Sequence, residues 1–318
     1  AFDWEDDEVV APDHNGLVIY ELHIGSFYVP AEGGGGTLKL VMEKFDHLVK
    51  LGVNAIQVMP LMEFAGDRSW GYNPAHIFAV ESTYGGPDAF KTFVRAAHKR
   101  GLAVILDVVY NHLGPSDLDL WRFDGWSEND KGGIYFYNDE RSNTPWGDTR
   151  PDYGRGEVRQ FIFDNAQMWL RDYHVDGLRY DMTAYIRSVD ASGWDLDSGW
   201  SMLQWMNGEL RDQFPGKILI AEDLHSHDRV TSTADDGLKF HSQWDARFVH
   251  PVRDERAGSN QPAVPGGGEQ AHLGHRLVGD VAEVHHRADR EADGLDAGLQ
   301  LLVGLELGRG LVARAAEV

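Results

Sequence analysis

The sequence predicts an α/β protein built on a TIM-type (β/α)8 barrel, incomplete here, and three observations lead to that expectation. Short β-branched apolar runs at 103–110, 175–182 and 218–224 are separated by stretches with helical spacing. Strands alternating with helices form parallel sheets buried on both faces. No glycine-rich turn closes the first strand as an open doubly wound sheet would require, and right-handed strand–helix–strand order favours a ring. The runs also carry acidic residues at their carboxyl ends, Asp107, Asp181 and Glu222, where the chemistry of such sheets collects.

The first strand, 17–25, turns Ile19, Glu21 and His23 to one face and Tyr20, Leu22 and Ile24 to the other. The glycines at 33–36 lack a following Gly-Lys-Ser/Thr and do not make a phosphate loop. Thr37 reads as the N-cap of a helix to Lys50, apolar at Leu40, Val41, Phe45, Leu48 and Val49, ended by Gly52. A strand at 53–60 leads into a loop, 61–86, that holds Trp70 and Tyr72; a helix at 88–100 then stops at Gly101. After the strand at 103–110, an insertion over 113–156 lacks periodicity and is expected to shape a cleft. A helix follows at 157–173, then the strand at 175–182, a polar loop, and a helix with Trp200, Leu203, Met206 and Leu210 on one face. Strands at 217–224 and 238–245 complete six of eight; in the last, Phe240, Ser242 and Trp244 are expected to share a face.

From about residue 250 the composition changes: no Phe, Tyr, Trp, Ile, Met or Lys occurs, against eleven Gly and seven Arg. The remaining amino acids are largely those of GC-rich codons, so 254–318 reads as a non-native, out-of-frame tail. Without two further strands the barrel is expected to keep open edges on its first and sixth strands.

The net charge of −22 excludes phosphate-backbone binding and anionic membrane surfaces, and no apolar run approaches the ~20 residues of a membrane span. There is no cysteine, hence no disulfide or thiolate chemistry. The opening residues are acidic and lack a signal pattern, and a cytoplasmic protein is expected. Ten tryptophans are compatible with a neutral polysaccharide as partner. His272/His275 and His285/His286 lack matching carboxylate or cysteine spacing, so no metal is expected there.

In Gly177-Leu178-Arg179-Tyr180-Asp181, strand alternation puts Arg179 and Asp181 on one face, and an adjacent guanidinium favours an ionised Asp181. Glu222 ends the apolar run Ile218-Leu219-Ile220-Ala221, where desolvation favours a proton donor. One charged and one protonated carboxyl, roughly 5–5.5 Å apart, are what retaining cleavage of a glycosidic bond requires. Singly, each residue reads as readily as a buried ion pair or a strand cap.

The stretches DVVYNH (107–112), GLRYD (177–181) and IAED (220–223) resemble three of the four signature regions of the α-amylase superfamily, glycoside hydrolase family thirteen. The opening VIYELHIG (18–25) and WGYNP (70–74) resemble its glycogen-branching and trehalohydrolase-like members in particular. The resemblance implies Asp181 as nucleophile, Glu222 as general acid/base, Arg179 as the residue orienting Asp181, and Tyr72, Asp107 and His112 as substrate-binding. It implies an α-1,4-glucan as partner and transfer of the cleaved chain to a sugar hydroxyl, with hydrolysis or glucan binding alone as alternatives. Residues 1–16 resemble the lead-in from a preceding β-sandwich. Asn111 matches a calcium ligand of many amylases, but branching-type members lack that ion, and no cofactor is expected. The family's fourth region supplies a His-Asp pair after strand seven; the only His-Asp here, His227-Asp228, follows strand five and does not match it by position.

Overall fold

The computed structural model describes residues 2–5, 14–31, 33–114 and 120–244, together with the backbone of two later strands. In chain order the strands are β1 (Val18–Leu22), β2 (Ala55–Val58), β3 (Met62–Phe64), β4 (Pro74–Val80), β5 (Ala103–Val108), β6 (Gly177–Tyr180), β7 (Ile218–Ala221), β8 (Ser242–Trp244), β9 (Gln300–Leu305) and β10 (Leu311–Arg314). The helices are α1 (Ile24–Phe27), α2 (Leu38–Met42), α3 (Phe45–Lys50), α4 (Gly86–His98), α5 (Gly156–Asp172), α6 (Ala184–Arg187), α7 (Asp197–Gln213) and α8 (Asp228–Thr231).

β1, β2, β5, β6, β7 and β8 pair in that order, each parallel to the next, which is the six-stranded incomplete barrel expected from the sequence. The open edges do not persist. β9 runs antiparallel to β1, β10 runs parallel to β8, and the two pair with each other, so a hairpin closes the ring. An antiparallel β9 is not the seventh strand of an all-parallel barrel; backbone hydrogen bonding needs only an extended chain at the edge, whatever its direction. The rest of 254–318, with its histidine pairs, lies outside the described residues.

Period-two alternation sorts the side chains. Leu17, Ile19, Ala55, Ala103, Ile105, Ile218, Ile220 and Trp244 fill the ring, while Leu178, Tyr180, Leu106 and Val108 face outward to the helices. Phe240 joins the outer set, packing against Tyr180 with ring centroids 5.0 Å apart, because Lys239 turns the chain at φ 61° and the strand begins only at Ser242. It therefore does not share a face with Trp244 as expected.

The predicted helix from Thr37 does start there, with the Leu40 amide donating to the Thr37 hydroxyl at 3.3 Å. It breaks in two at Lys44, at φ −103° and ψ 0°, whose ammonium lies 3.8 Å from the centre of the Tyr28 ring. The break lets Leu38, Val41, Phe45 and Leu48 all bury fully. Within 61–86 the structure has a hairpin, β3 and β4, where the sequence reads as loop; Glu81 ties it down by accepting from the Phe64 amide at 3.2 Å. Gly71, at φ 90°, lets this segment pass the Pro60 carbonyl where a Cβ would collide, and so places Tyr72. At the amino end, Trp4 stacks on His174 at 3.8 Å and Arg95 donates to the Asp3 carbonyl at 2.6 Å. Among the described residues no helix is long and apolar enough to cross a membrane.

Candidate active site

Parallel register sets Asp107 of β5 beside Arg179 of β6, and Arg179 beside Ile220 of β7. Asp181 lies one residue past β6 and Glu222 one residue past β7, so the next inward positions on both strands carry carboxyls at the carboxyl-end rim. Arg179 gathers all three acids. Its Nη1 donates to both Asp107 oxygens at 2.7 Å and to Asp181 Oδ1 at 2.9 Å, and its Nη2 lies 2.7 Å from Glu222 Oε2. The guanidinium lies over the Trp244 ring, 4.1 Å from its centre.

The balance of charge follows from burial. Burial opposes the Arg179 charge, but Asp107 and Glu222, with Tyr72 and Asp181, outweigh it and hold its pKa well above the ordinary value. Asp107 is fully buried, which pushes its carboxyl up to about 7 against the pull of Arg179, with Glu21 adding to the rise. Asp181 is also raised by burial; Arg179, and hydrogen bonds with Asn111 and Glu222, only partly pull it back. The sequence expectation weighed the arginine alone and missed the cost of burial.

Asn111 Nδ2 donates to Asp181 Oδ2 at 2.7 Å and to its carbonyl at 2.8 Å, while its Oδ1 faces His112 Nδ1 at 2.6 Å. Both ends of the amide are thus engaged, and among the described residues no group of three His or carboxylate side chains is placed to hold a metal ion. His112 Nε2 meets the Tyr72 carbonyl at 2.7 Å, and burial lowers the His112 pKa to about 4. Tyr72 donates its hydroxyl to Asp107 Oδ2 at 2.9 Å. All six site residues expected from the sequence therefore converge on one rim. His227 and Asp228 do not: they open α8, where the His227 ring meets Trp194 edge-on at 4.8 Å.

Two features escaped sequence reasoning. Trp146, in the insertion, stacks on His112 at 4.7 Å while 45% exposed, forming a wall of the site from a turn between Thr144 and Gly147. Its signal was only a tryptophan in a polar Pro-Trp-Gly turn. Arg187 and Asp223 form a buried bidentate pair behind Glu222, and a contact 36 positions apart leaves no periodic trace in the sequence.

Residues 19–146 match the model of the alpha amylase catalytic domain. The chain belongs to the α-amylase superfamily. It is 36% identical over 263 residues to a malto-oligosyltrehalose trehalohydrolase of Saccharolobus solfataricus, an alignment covering 82% of this chain and 42% of that protein. It is 40% identical to the same enzyme of Arthrobacter ramosus over 80% of this chain and 41% of the relative. A 1,4-alpha-glucan branching enzyme of Pseudoalteromonas atlantica is 36% identical over 74% of this chain and 34% of its own length. A crystal structure of a Salmonella typhimurium protein assigned as an alpha amylase superimposes with a TM-score of 0.65 at 30% identity, covering 82% of this chain and 41% of that one. The superfamily chain described here thus spans less than half the length of these relatives.

Proposed function

We propose that this chain is the catalytic barrel of a retaining enzyme that cleaves α-1,4-glucosidic bonds of an α-glucan. The observation that carries the reading is one guanidinium, Arg179, holding Asp181 and Glu222 at adjacent strand ends. In this reading an Asp181 oxygen attacks the anomeric carbon as the bond to the departing oxygen breaks, and Glu222 gives that oxygen its proton. An incoming hydroxyl then displaces Asp181 from the β-glycosyl ester while Glu222 takes up the hydroxyl's proton. Tyr72, Asp107 and His112 hold the sugar at the same rim, and Arg179 orients Asp181.

The acceptor decides the product. A sugar hydroxyl gives branching, a reading supported by a relative named a branching enzyme; water gives hydrolysis, a reading supported by relatives named trehalohydrolases. Amylose and a malto-oligosyltrehalose are the substrates that test this, with product anomers, reducing ends, branch points and free trehalose followed together. The α anomer is expected first in either case, with new branch points marking transfer and free trehalose marking hydrolysis. A β anomer as first product, or no consumption of either glucan, overturns the proposal.

A further inference from the structure

Behind Glu222 lies a buried pair that the reaction as written does not use. Arg187, at the end of α6, and Asp223, next after Glu222, are both inaccessible to solvent. Arg187 Nε meets Asp223 Oδ2 at 2.7 Å and Nη2 meets Oδ1 at 3.0 Å, a fork-to-fork geometry that fixes both side chains. The same guanidinium donates to the Gly193 carbonyl and lies over the Trp194 ring, 4.0 Å from its centre. α7 packs close enough to brace it: a Cβ at Gly199 would collide with the Ile186 carbonyl.

A second tie runs along the backbone. The Glu222 carbonyl accepts from both the amide and the hydroxyl of Thr183, each at 3.0 Å. Between Asp181 and Thr183, Met182 is held at φ 40°, a left-handed conformation that costs a side-chain-bearing residue energy and persists only where surroundings enforce it. The strained residue aims its amide at Glu222 Oε2, 3.0 Å away. The turn carrying Asp181 and the turn carrying Glu222 are therefore pinned at Thr183 and at the Arg187–Asp223 pair, on the two residues 222 and 223.

We propose that Arg187 and Asp223 are positioning residues that hold Glu222 in its proton-donating place relative to Asp181. The inference rests on the proposed role of Glu222 and adds residues that touch neither sugar nor reacting atoms. A glycosyl fluoride separates positioning from general structural support, because fluoride departs without a proton whereas a sugar oxygen needs one. In the full 318-residue chain, Arg187→Lys and Asp223→Asn should lower glucan turnover at least about tenfold, within the roughly 10²–10⁴-fold that a placed general acid contributes, with KM little changed. The initial burst of fluoride from an α-maltosyl fluoride should stay within about twofold of the parent.

A spectroscopic readout needs no turnover. The Met182 amide resonance reports the Glu222 carboxyl, and it should shift in both variants while the Val104 amide, bonded to Asp176 at the opposite end of the barrel, stays in place. Equal losses on glucan and fluoride, or a Met182 resonance that stays put, overturn the inference. Glu222→Gln is the control for the reading beneath it. If that variant fails to discriminate between glucan and fluoride, the acid role of Glu222 falls; if it discriminates and the Arg187 and Asp223 variants do not, only their positioning role falls.

Discussion

The barrel buries charge at both ends, and the two clusters are built oppositely. At the amino end of the strands a single carboxyl, Asp176, takes His98 Nε2 and the Val104 amide at 2.8 Å on one oxygen and Lys217 at 3.2 Å on the other. At the carboxyl end a single guanidinium, Arg179, serves Asp107, Asp181 and Glu222. The first cluster satisfies one acid with several donors and staples the β5–β6 junction. The second has more acid than base, and burial pushes the carboxyls of Asp107 and Asp181 upward. A structural ion pair saturates its charge; a cluster left short of counter-charge keeps protons available near neutral pH, which is what proton transfer needs.

The sharpest way to break this contrast is at the rim. Asp181→Asn and Glu222→Gln are each expected to reduce glucan turnover by at least about 10³-fold, near 4 kcal/mol of barrier, without lowering the melting temperature. Near-normal rates in either variant would sink the assignment of both.

Removing the counter-charges comes next. Arg179→Met strands three buried acids and should cost about 3–5 kcal/mol at neutral pH, a deficit that shrinks toward pH 5 as the acids protonate. Asp176→Asn should cost a similar amount but leave kcat per folded molecule unchanged. Denaturant melts at two pH values, paired with active-site titration, measure both; a fall in kcat for Asp176→Asn would erase the distinction between the ends.

The pH dependence of stability follows from Asp107. Its folded value of about 7 exceeds the ordinary 3.8, so as pH rises through this window the unfolded chain loses its proton first and stability falls. Asp107→Asn should remove this part of the slope, on the order of 2–4 kcal/mol between pH 4 and pH 7.5. Parallel slopes for parent and variant in urea melts would show that Arg179 compensates the charge.

The smallest effect is expected at Trp146. Exposed and stacked on His112, it should contribute contact area to a sugar but little to folding. Trp146→Ala should raise KM several-fold while the melting temperature stays within about 2 °C. A large loss of stability instead would make it a prop for His112.

The sequence by itself determined the elements whose physics is local. The apolar runs ending at Asp107, Asp181 and Glu222 form adjacent parallel strands, and two-residue alternation alone puts Arg179 and Asp181 on the inner face. Thr37 caps its helix, and Gly52 and Gly101 end theirs at positive φ, because those roles need only a hydroxyl or a missing Cβ. Tertiary structure decided what depends on distant partners. The protonation balance of Asp181 turned on burial and on Asp107, Asn111 and Glu222, none of them its neighbour in sequence. The break at Lys44, the β3–β4 hairpin and the turn that sends Phe240 outward each arise where packing overrides a local pattern. The ring's closure by an antiparallel hairpin was not legible: the apolar stretch 299–307 reads as readily as a helix, and it is a strand because an exposed strand edge accepts any extended backbone and so selects by hydrogen bonding rather than by side chain.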